Sequence, residues 1–402
     1  MNTRRALAFI FCTVMLDVLA LGVMIPVLPG IVLGFMDGDT AGAAEIFGVF
    51  ATVWGLMQVL FSPLLGALSD RFGRRPVILI SCLGLGLDYI FMAVAPSLLL
   101  LFVGRVISGI TAATISTSFA YIADVTTADN RAKAFGIVGM AFGAGFVLGP
   151  AIGGLLGGLD PRLPFWVSAA ACLINAAFGW FVLPESLPPE KRMAFAWKRA
   201  NPLGSLALLR SHRQLIGLAS VDFLANLAHQ VLPSVFVLYA AYRYGWGETT
   251  VGLTLALVGI CSALVQGLLV GPVVGRLGPR RALFAGLLTG GLGMAIYGLA
   301  PSGAWFLAGV PIMALWGISG PAAMDMMSRR VSASEQGQLQ GANSSVRSLA
   351  GLLGPGLFTG TFAWLLGGLP GAPFLLAAAL LVAAGAVSWV VTAPSPPVGQ
   401  PR

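Results

Sequence analysis

Asp17 stands about halfway along an apolar run covering residues 7–29. A carboxyl group there can bind and release a proton, and its charge state decides what it attracts. A central Asp in a membrane-length run costs on the order of 2.5–3.5 kcal/mol to insert. Such a group turns from lipid toward a wet cavity or a partner. Two readings follow: a functional proton site, or a structural ion pair buried with Arg105. Asp88 lies past the middle of the run 76–95 and invites the same argument. Arg105 sits one turn into the run 98–122, where a guanidinium demands carboxylate or carbonyl partners. In the run 214–240, Asp222, Asn226, His229, Gln230 and Pro233 fall within about a 100° arc at about 100° per residue. Five such residues on one face exceed what helix association needs and fit the wall of a water-filled cavity. His229 titrates near neutral pH when unperturbed. Trp54, Gln58 and Ser62 recur at every fourth position, a stripe that serves either helix–helix contact or a cavity lining.

These residues need apolar helices to hold them. The chain is 57% hydrophobic and 9% charged, against about a quarter charged in soluble proteins. A spanning helix needs about 20 mostly apolar residues. Such runs fall at 7–29, 44–65, 76–95, 98–122, 132–158, 164–183, 214–240, 249–271, 281–300, 303–327, 338–364 and 369–391. The expected fold is an all-α integral membrane protein of twelve spans in two six-helix bundles.

Basic residues orient it. Of 23 Lys and Arg, Arg162 and Arg243 fall in one set of loops, while Arg105 and Arg347 fall in or at the edge of spans. The other nineteen lie at the termini and in the opposite set of loops, which the positive-inside rule makes cytoplasmic. Both termini are then cytoplasmic, in a multi-pass protein of the bacterial-type inner membrane. The net charge of +8 is scattered over short loops and forms no basic domain, which argues against nucleic acid. Cys12, Cys82, Cys172 and Cys261 lie inside apolar runs without metal-ligand spacing and read as packing residues. The N-terminal run exceeds a signal peptide's apolar core and reads as a retained first span.

The sequence repeats. An offset of 205 (271 − 66) superposes Gly66 on Gly271, Arg71 on Arg276, Gly73 on Gly278 and Gly136 on Gly341. It also superposes Gly149-Pro150 on Gly354-Pro355 and Asp17 on Asp222. The expected domains are a bundle over 1–183, a Pro- and charge-rich linker over 184–213, and a second bundle over 214–402. Part of the linker, Lys198 to Arg210, reads either as solvated chain or as a surface helix on anionic headgroups. Parallel six-helix halves are a known transporter plan.

Two motifs remain. Gly66 to Pro76 reads GALSDRFGRRP, one Asp and three Arg in a tight turn between apolar runs. On its own this is a basic loop with turn glycines as readily as a signature. The segment 143–154 reads GAGFVLGPAIGG. It puts Gly145, Gly149, Gly153 and Gly157 on one face, and Pro150 frees a carbonyl in mid-helix. Asp325 reads as an i,i+4 surface pair with Arg329.

Together these residues resemble the major facilitator superfamily, in its drug–proton antiporter branch. The loop motif is similar to the superfamily's signature between helices two and three. GPAIGG resembles the antiporter motif of helix five, and Arg105 resembles a helix-four arginine implicated in proton transfer. DVLALGVMIPVLP, LGLDYIFMA, YRYGW and EQGQLQGANSS extend the likeness to tetracycline-efflux members nearly end to end. The resemblance implies functional roles for Asp17, Asp70, Asp88 and Arg105. It implies a conformational latch at Asp70, Arg74 and Asp124, with Gly66, Arg71, Gly73, Gly149 and Pro150 in the motifs that shape it. Ser262 and Gly290 stand where studied members have a His and an Asp tied to proton coupling, so Asp17 or Asp222 would take over that role. Gly275 stands where the repeat would need the counterpart of Asp70.

The expected activity is proton-coupled export of a drug-like amphipathic compound, tetracycline-type or another xenobiotic, by alternating access. The cavity residues would be Asp17, Gln58, Asp88, Arg105, Asp222, Asn226, His229 and Gln230. The partners would be the small molecule, protons and the bilayer; the chain would act as a monomer, with no cofactor or metal and the proton gradient as energy source. A metabolite symporter or facilitator and a non-transporting receptor are the competing classes. An enzyme has no support, since no nucleophile–base pairing, phosphate loop, dinucleotide fingerprint or metal spacing is present.

Overall fold

A computed structural model describes residues 3–111, 114–126, 128–192, 213–331 and 336–393. The surface-helix reading of Lys198 to Arg210 lies outside them, as do 112 and 113 in the middle of the fourth span. The described residues form helices and turns and no strand. In order these are α1 (Thr3–Met24), α2 (Leu28–Phe35), α3 (Thr40–Phe72), α4 (Arg74–Val94), α5 (Leu98–Thr111), α6 (Thr114–Val125), α7 (Ala128–Gly157) and α8 (Leu163–Val182). Then follow α9 (Arg213–His229), α10 (Val231–Tyr244), α11 (Glu248–Leu264), α12 (Val270–Leu299), α13 (Gly303–Ala314), α14 (Ser319–Ser328), α15 (Gln336–Leu365) and α16 (Ala372–Val391). Helix occupies each interval expected to span. Nine described helical stretches are long and apolar enough to cross a membrane, and Leu98–Thr111 and Gly143–Gly157 are shorter apolar helices.

Local chemistry explains the breaks. Asp39 caps α3, its Oδ1 accepting from the amides of Ala41 at 3.1 Å and Gly42 at 3.2 Å. Gly73 ends α3 at φ +107°, and its repeat partner Gly278 breaks α12 at φ +76°. Both angles lie in the left-handed region open to glycine. The seventh span is not one continuous helix: α9 stops at His229, and Pro233 falls in the first turn of α10. Pro233 has no N–H to give the His229 carbonyl, and the Gln230 amide bonds back to Leu227 at 3.0 Å. The single arc expected for this span therefore ends at Gln230.

The chain folds into two compact units. The first comprises Met1–Pro202, Leu232–Ile260 and Leu352–Pro370; the second comprises Leu203–Val231, Cys261–Gly351 and Gly371–Arg402. This division follows contact, whereas the expected six-helix halves follow duplication. In the first unit α1 packs along α7 and α8, α4 along α8, and α3 along α5. Its core joins Phe9, Ile10, Val14 and Val18 of α1 to Ile78 and Cys82 of α4 and to Tyr121 and Ile122 of α6. In the second unit α16 packs along α9 and α12, and α12 along α13 and α14. Tyr297 and Phe306 stack there at 3.9 Å with Phe374 edge-on at 5.9 Å from Tyr297.

The duplication is visible in three dimensions. Arg75, in the first turn of α4, stacks on Trp180 near the end of α8 at 5.5 Å and donates to its carbonyl at 2.6 Å. Arg280, its repeat partner, stacks on Trp389 near the end of α16 at 4.2 Å and donates to that carbonyl at 3.0 Å.

Candidate functional site: buried charges and the helices that carry them

In the first unit, Asp17, Asp88 and Arg105 are buried at 7%, 2% and 6% exposure. Asp17 lies on the face of α1 turned to α4 and α8, where its charge reaches Cys82, Tyr89 and Cys172. One turn away Thr13 donates to Asn175 at 3.3 Å, and Asn175 lies 3.7 Å from the Cys82 sulfur. Arg105 acts electrostatically on Asp88 and, beside it, Tyr89. Gly104 permits this approach, since a Cβ there would sit 3.4 Å from the Asp88 Oδ1 and 2.6 Å from Met92. No ion pair within 4.0 Å forms between Asp88 and Arg105. Both Asp88 oxygens, with Nε and Nη1 of Arg105, are buried without a hydrogen-bond partner among the described residues. The Arg105 guanidinium lies 5.2 Å from the centre of the Trp54 ring. Trp54 is held there because α5 touches α3 at Gly109, where a Cβ would meet the Trp54 carbonyl at 2.8 Å. Gln58 is half-buried one turn further along α3. The arrangement holds two acids and one base in an apolar setting, and Asp88 and Arg105 keep hydrogen-bonding capacity for a proton or a polar ligand group.

At the charged loop, Arg74 bridges two acids. Its Nη1 reaches Asp70 at 2.6 Å and its Nε reaches Asp124 at 3.1 Å. Ser69 accepts from the same Nη1 at 2.6 Å, and Ser186 donates to Asp124 at 3.1 Å. Gly66 accepts from Ser69 at 2.7 Å, and Arg71 lies exposed over Phe72 at 5.1 Å. Glu185 was not foreseen. Its carboxylate accepts from the amides of Arg74 at 2.9 Å and Arg75 at 3.3 Å, capping α4, and from Ser186 at 2.9 Å and Leu187 at 3.0 Å. A Glu two residues after the sixth span was its only signal. Asp325 pairs with Arg329 at 2.9 Å, as expected.

The glycines of α7 form two faces. A Cβ at Gly145 would sit 2.9 Å from the Met15 carbonyl, and one at Gly149 would sit 2.8 Å from the Gly22 Cα. Gly153 and Gly157 press on Val23 and Val27, so this face belongs to α1. The other face belongs to α11. A Cβ at Gly252 would press on the Pro150 carbonyl and sit 2.7 Å from the Gly154 Cα. Thr249 donates to the Gly154 carbonyl at 3.1 Å. Pro150 thus leaves backbone that α11 approaches directly.

In the second unit, Asp222 and Asn226 are half-buried, and the Asn226 amide donates to the Asp222 carbonyl at 2.8 Å. His229, exposed at its surface, packs on Trp316 at 5.5 Å between ring centres. Trp316 belongs to a 3-10 segment, Leu315–Ile318, and covers Gly290, where a Cβ would lie 2.7 Å from its ring. Facing that segment is a π-helical turn, Val265–Leu269; Gln266 lies 3.7 Å from a Cβ built on Gly317. π turns concentrate at functional sites. Gln230 lies 3.7 Å from a Cβ built on Gly351 of α15. Arg347, one turn before Gly351, acts electrostatically on both Asp222 and His229. Gln266, Trp316 and Arg347 were not singled out by sequence, although a Gln and an Arg inside apolar runs were legible signals.

A profile of the Major Facilitator Superfamily matches residues 7–355 and 223–402. The chain belongs to the Major Facilitator Superfamily. Among its superfamily relatives, the class C tetracycline resistance protein of Escherichia coli is 39% identical over 363 residues, 90% of this chain and 91% of that one. Multidrug resistance protein 2 of Bacillus subtilis is 29% identical, covering 84% of each chain. Among solved structures, a bacterial homologue of the human lysosomal transporter Spinster shares the fold at TM-score 0.80 and 16% identity, covering 97% of this chain and 96% of that one. A human organic anion transporter aligns at TM-score 0.71 and 24% identity, covering 96% and 100%. The protein is a multi-pass membrane transporter of superfamily type, with tetracycline resistance proteins as relatives.

Proposed function

We propose that this protein is a proton-coupled antiporter that exports a drug-like amphipathic compound by alternating access. The observation that carries the reading is the burial of Asp17, Asp88 and Arg105 in apolar helices of the first unit. Charges are retained at such depth where protons or substrates pass. Protonation of Asp17 weakens attraction for a cationic substrate and relieves the cost of an ionised carboxylate in an apolar setting. One proton thereby biases a two-state equilibrium. The Arg74 bridge to Asp70 and Asp124 holds one of those states. The pump operates without a cofactor or metal, in a bacterial inner membrane, as a monomer with both termini in the cytoplasm. The Escherichia coli and Bacillus subtilis relatives support a drug as cargo; tetracycline is the first compound to test.

The experiment is growth of an efflux-deficient host across an antibiotic panel, with and without expression. It is followed by transport in proteoliposomes under pH gradients of either sign. Substrate moving against the proton flow supports antiport, and substrate moving with it gives the symporter. Absence of flux for every compound leaves the receptor reading. Asp17→Asn is expected to abolish gradient-driven movement, and undiminished movement excludes Asp17 as the coupling site.

A further inference from the structure

We infer that internal water is bound in the first unit, between the carboxylate of Asp88 on α4 and the guanidinium of Arg105 on α5. This site goes beyond the antiport reading and stands without it. Four polar atoms carry it. Both carboxylate oxygens of Asp88, with Nε and Nη1 of Arg105, are enclosed by protein and hydrogen-bond to no described residue. Two of the four are acceptors and two are donors. Buried groups of this kind are nearly always partnered, by protein or by ordered water.

The neighbouring side chains do not meet the need. α4 packs along α5, and a Cβ on Gly104, the residue before Arg105, would sit 3.4 Å from the Asp88 Oδ1. The carboxylate thus lies against the backbone that carries Arg105, yet no described ion pair within 4.0 Å joins the two. Ser108, one turn on, donates to the Gly104 carbonyl at 3.0 Å, so its proton is engaged. Trp54 offers the guanidinium a π face, 5.2 Å away at its centre, rather than an oxygen. Enclosure selects a small occupant. Asp88 is 2% exposed and Met92, one turn beyond it, 1%. Met92 closes the space beside Gly104, its Cγ 2.6 Å from the added Cβ, so it flanks the carboxylate and shuts out a drug-sized group. A buried water needs about two to four polar partners. Two waters, each donating to one carboxylate oxygen and accepting from one N–H, would satisfy all four atoms. Ordering them costs less than leaving buried charged groups unsatisfied.

The test is hydroxyl-radical labelling of the full-length protein in detergent, with radicals made by X-ray pulses and oxidation read by mass spectrometry. A radical born at a bound water oxidises the methionine beside it, whether or not bulk solvent reaches that side chain. Met92 reports on the site, and Met36, half-buried in the loop after α2, reports on bulk solvent. A radical scavenger in the buffer is expected to suppress Met36 oxidation about fivefold or more and Met92 oxidation less than about twofold, because bound water sits apart from bulk. Asp88→Asn keeps polar partners for the water and is expected to hold Met92 oxidation within about twofold of wild type. The apolar double variant Asp88→Leu/Arg105→Leu is expected to lose it about fivefold or more, since nothing polar remains to hold a water. Wild-type Met92 that stays at the unirradiated background overturns the site, as does oxidation that falls with the scavenger as Met36 does. Oxidation that persists in the double variant also overturns it. Where the double variant yields no folded protein, the scavenger comparison on wild type decides alone.

Discussion

Arg105 and Trp54 lie on different helices, the guanidinium carbon 5.2 Å from the centre of the indole ring. A cation over a desolvated ring is worth up to about 2 kcal/mol, roughly thirtyfold in an equilibrium constant. Trp54→Phe keeps a π face and is expected to leave transport within a few-fold of wild type. Trp54→Ala is expected to reduce it about tenfold or more. Arg105→Lys keeps the charge but loses the planar stack and is expected to resemble Trp54→Ala. Initial rates in proteoliposomes check this, and equal rates for the Phe and Ala variants would remove Trp54 from the site.

The two-faced α7 predicts an unequal glycine scan. Gly149→Ala would place a methyl 2.8 Å from the Gly22 Cα. Overpacking of this kind costs about 1–3 kcal/mol, so a lower thermal midpoint is expected. Gly143 has nothing within 4 Å of the added atom. Gly143→Ala is therefore expected to be neutral or stabilising, by up to about 1 kcal/mol of helix propensity.

Glu185 ties the start of the linker to the first turn of α4 through the amides of Arg74, Arg75, Ser186 and Leu187. Removing a helix cap costs about 1–2 kcal/mol. Glu185→Ala is expected to lower the midpoint by that order and to speed protease cleavage within 184–192. Glu185→Gln, which keeps one acceptor oxygen, is expected to lose less.

Gly73 and Gly278 share a backbone conformation but not an environment. A Cβ at Gly73 presses on the Glu185 carboxylate, whereas at Gly278 it meets nothing within 4 Å. With ψ at 160° and 157°, both lie in a positive-φ region essentially reserved for glycine, where a side chain costs roughly 1–3 kcal/mol. Gly278→Ala is expected to lose about that much. Gly73→Ala is expected to lose more, and the excess is expected to vanish in a Glu185→Ala background. A double-mutant cycle on thermal midpoints measures it.

Much of this was legible beforehand because bilayer physics leaves few choices. A run of apolar residues must be helix, and Asp17, Asp88 and Arg105 declared themselves by being costly where they stand. The Arg74 bridge was readable because Asp70 lies one turn before it, and Asp124 ends the fourth span nearby. Less was legible where partners come from distant sequence. Nothing local says that Arg105 turns to Asp88, that Trp316 covers Gly290, or that Glu185 caps α4. The arc expected on the seventh span runs past Gln230 because it counts Pro233 as a wall residue. Its effect on the carbonyl four residues back was the stronger influence. The π turn at Val265–Leu269 has no sequence period of its own, and Gln266 was its only trace.

The clasp of full charges around Arg74 has no counterpart in the second copy, where Gly275 and Pro279 replace Asp70 and Arg74. Partly exposed charges feel the surrounding electrolyte over about 8 Å at physiological ionic strength. A salt load in the adjoining fluid will therefore loosen this clasp in the first copy, while the second has no charges at those two positions to be screened.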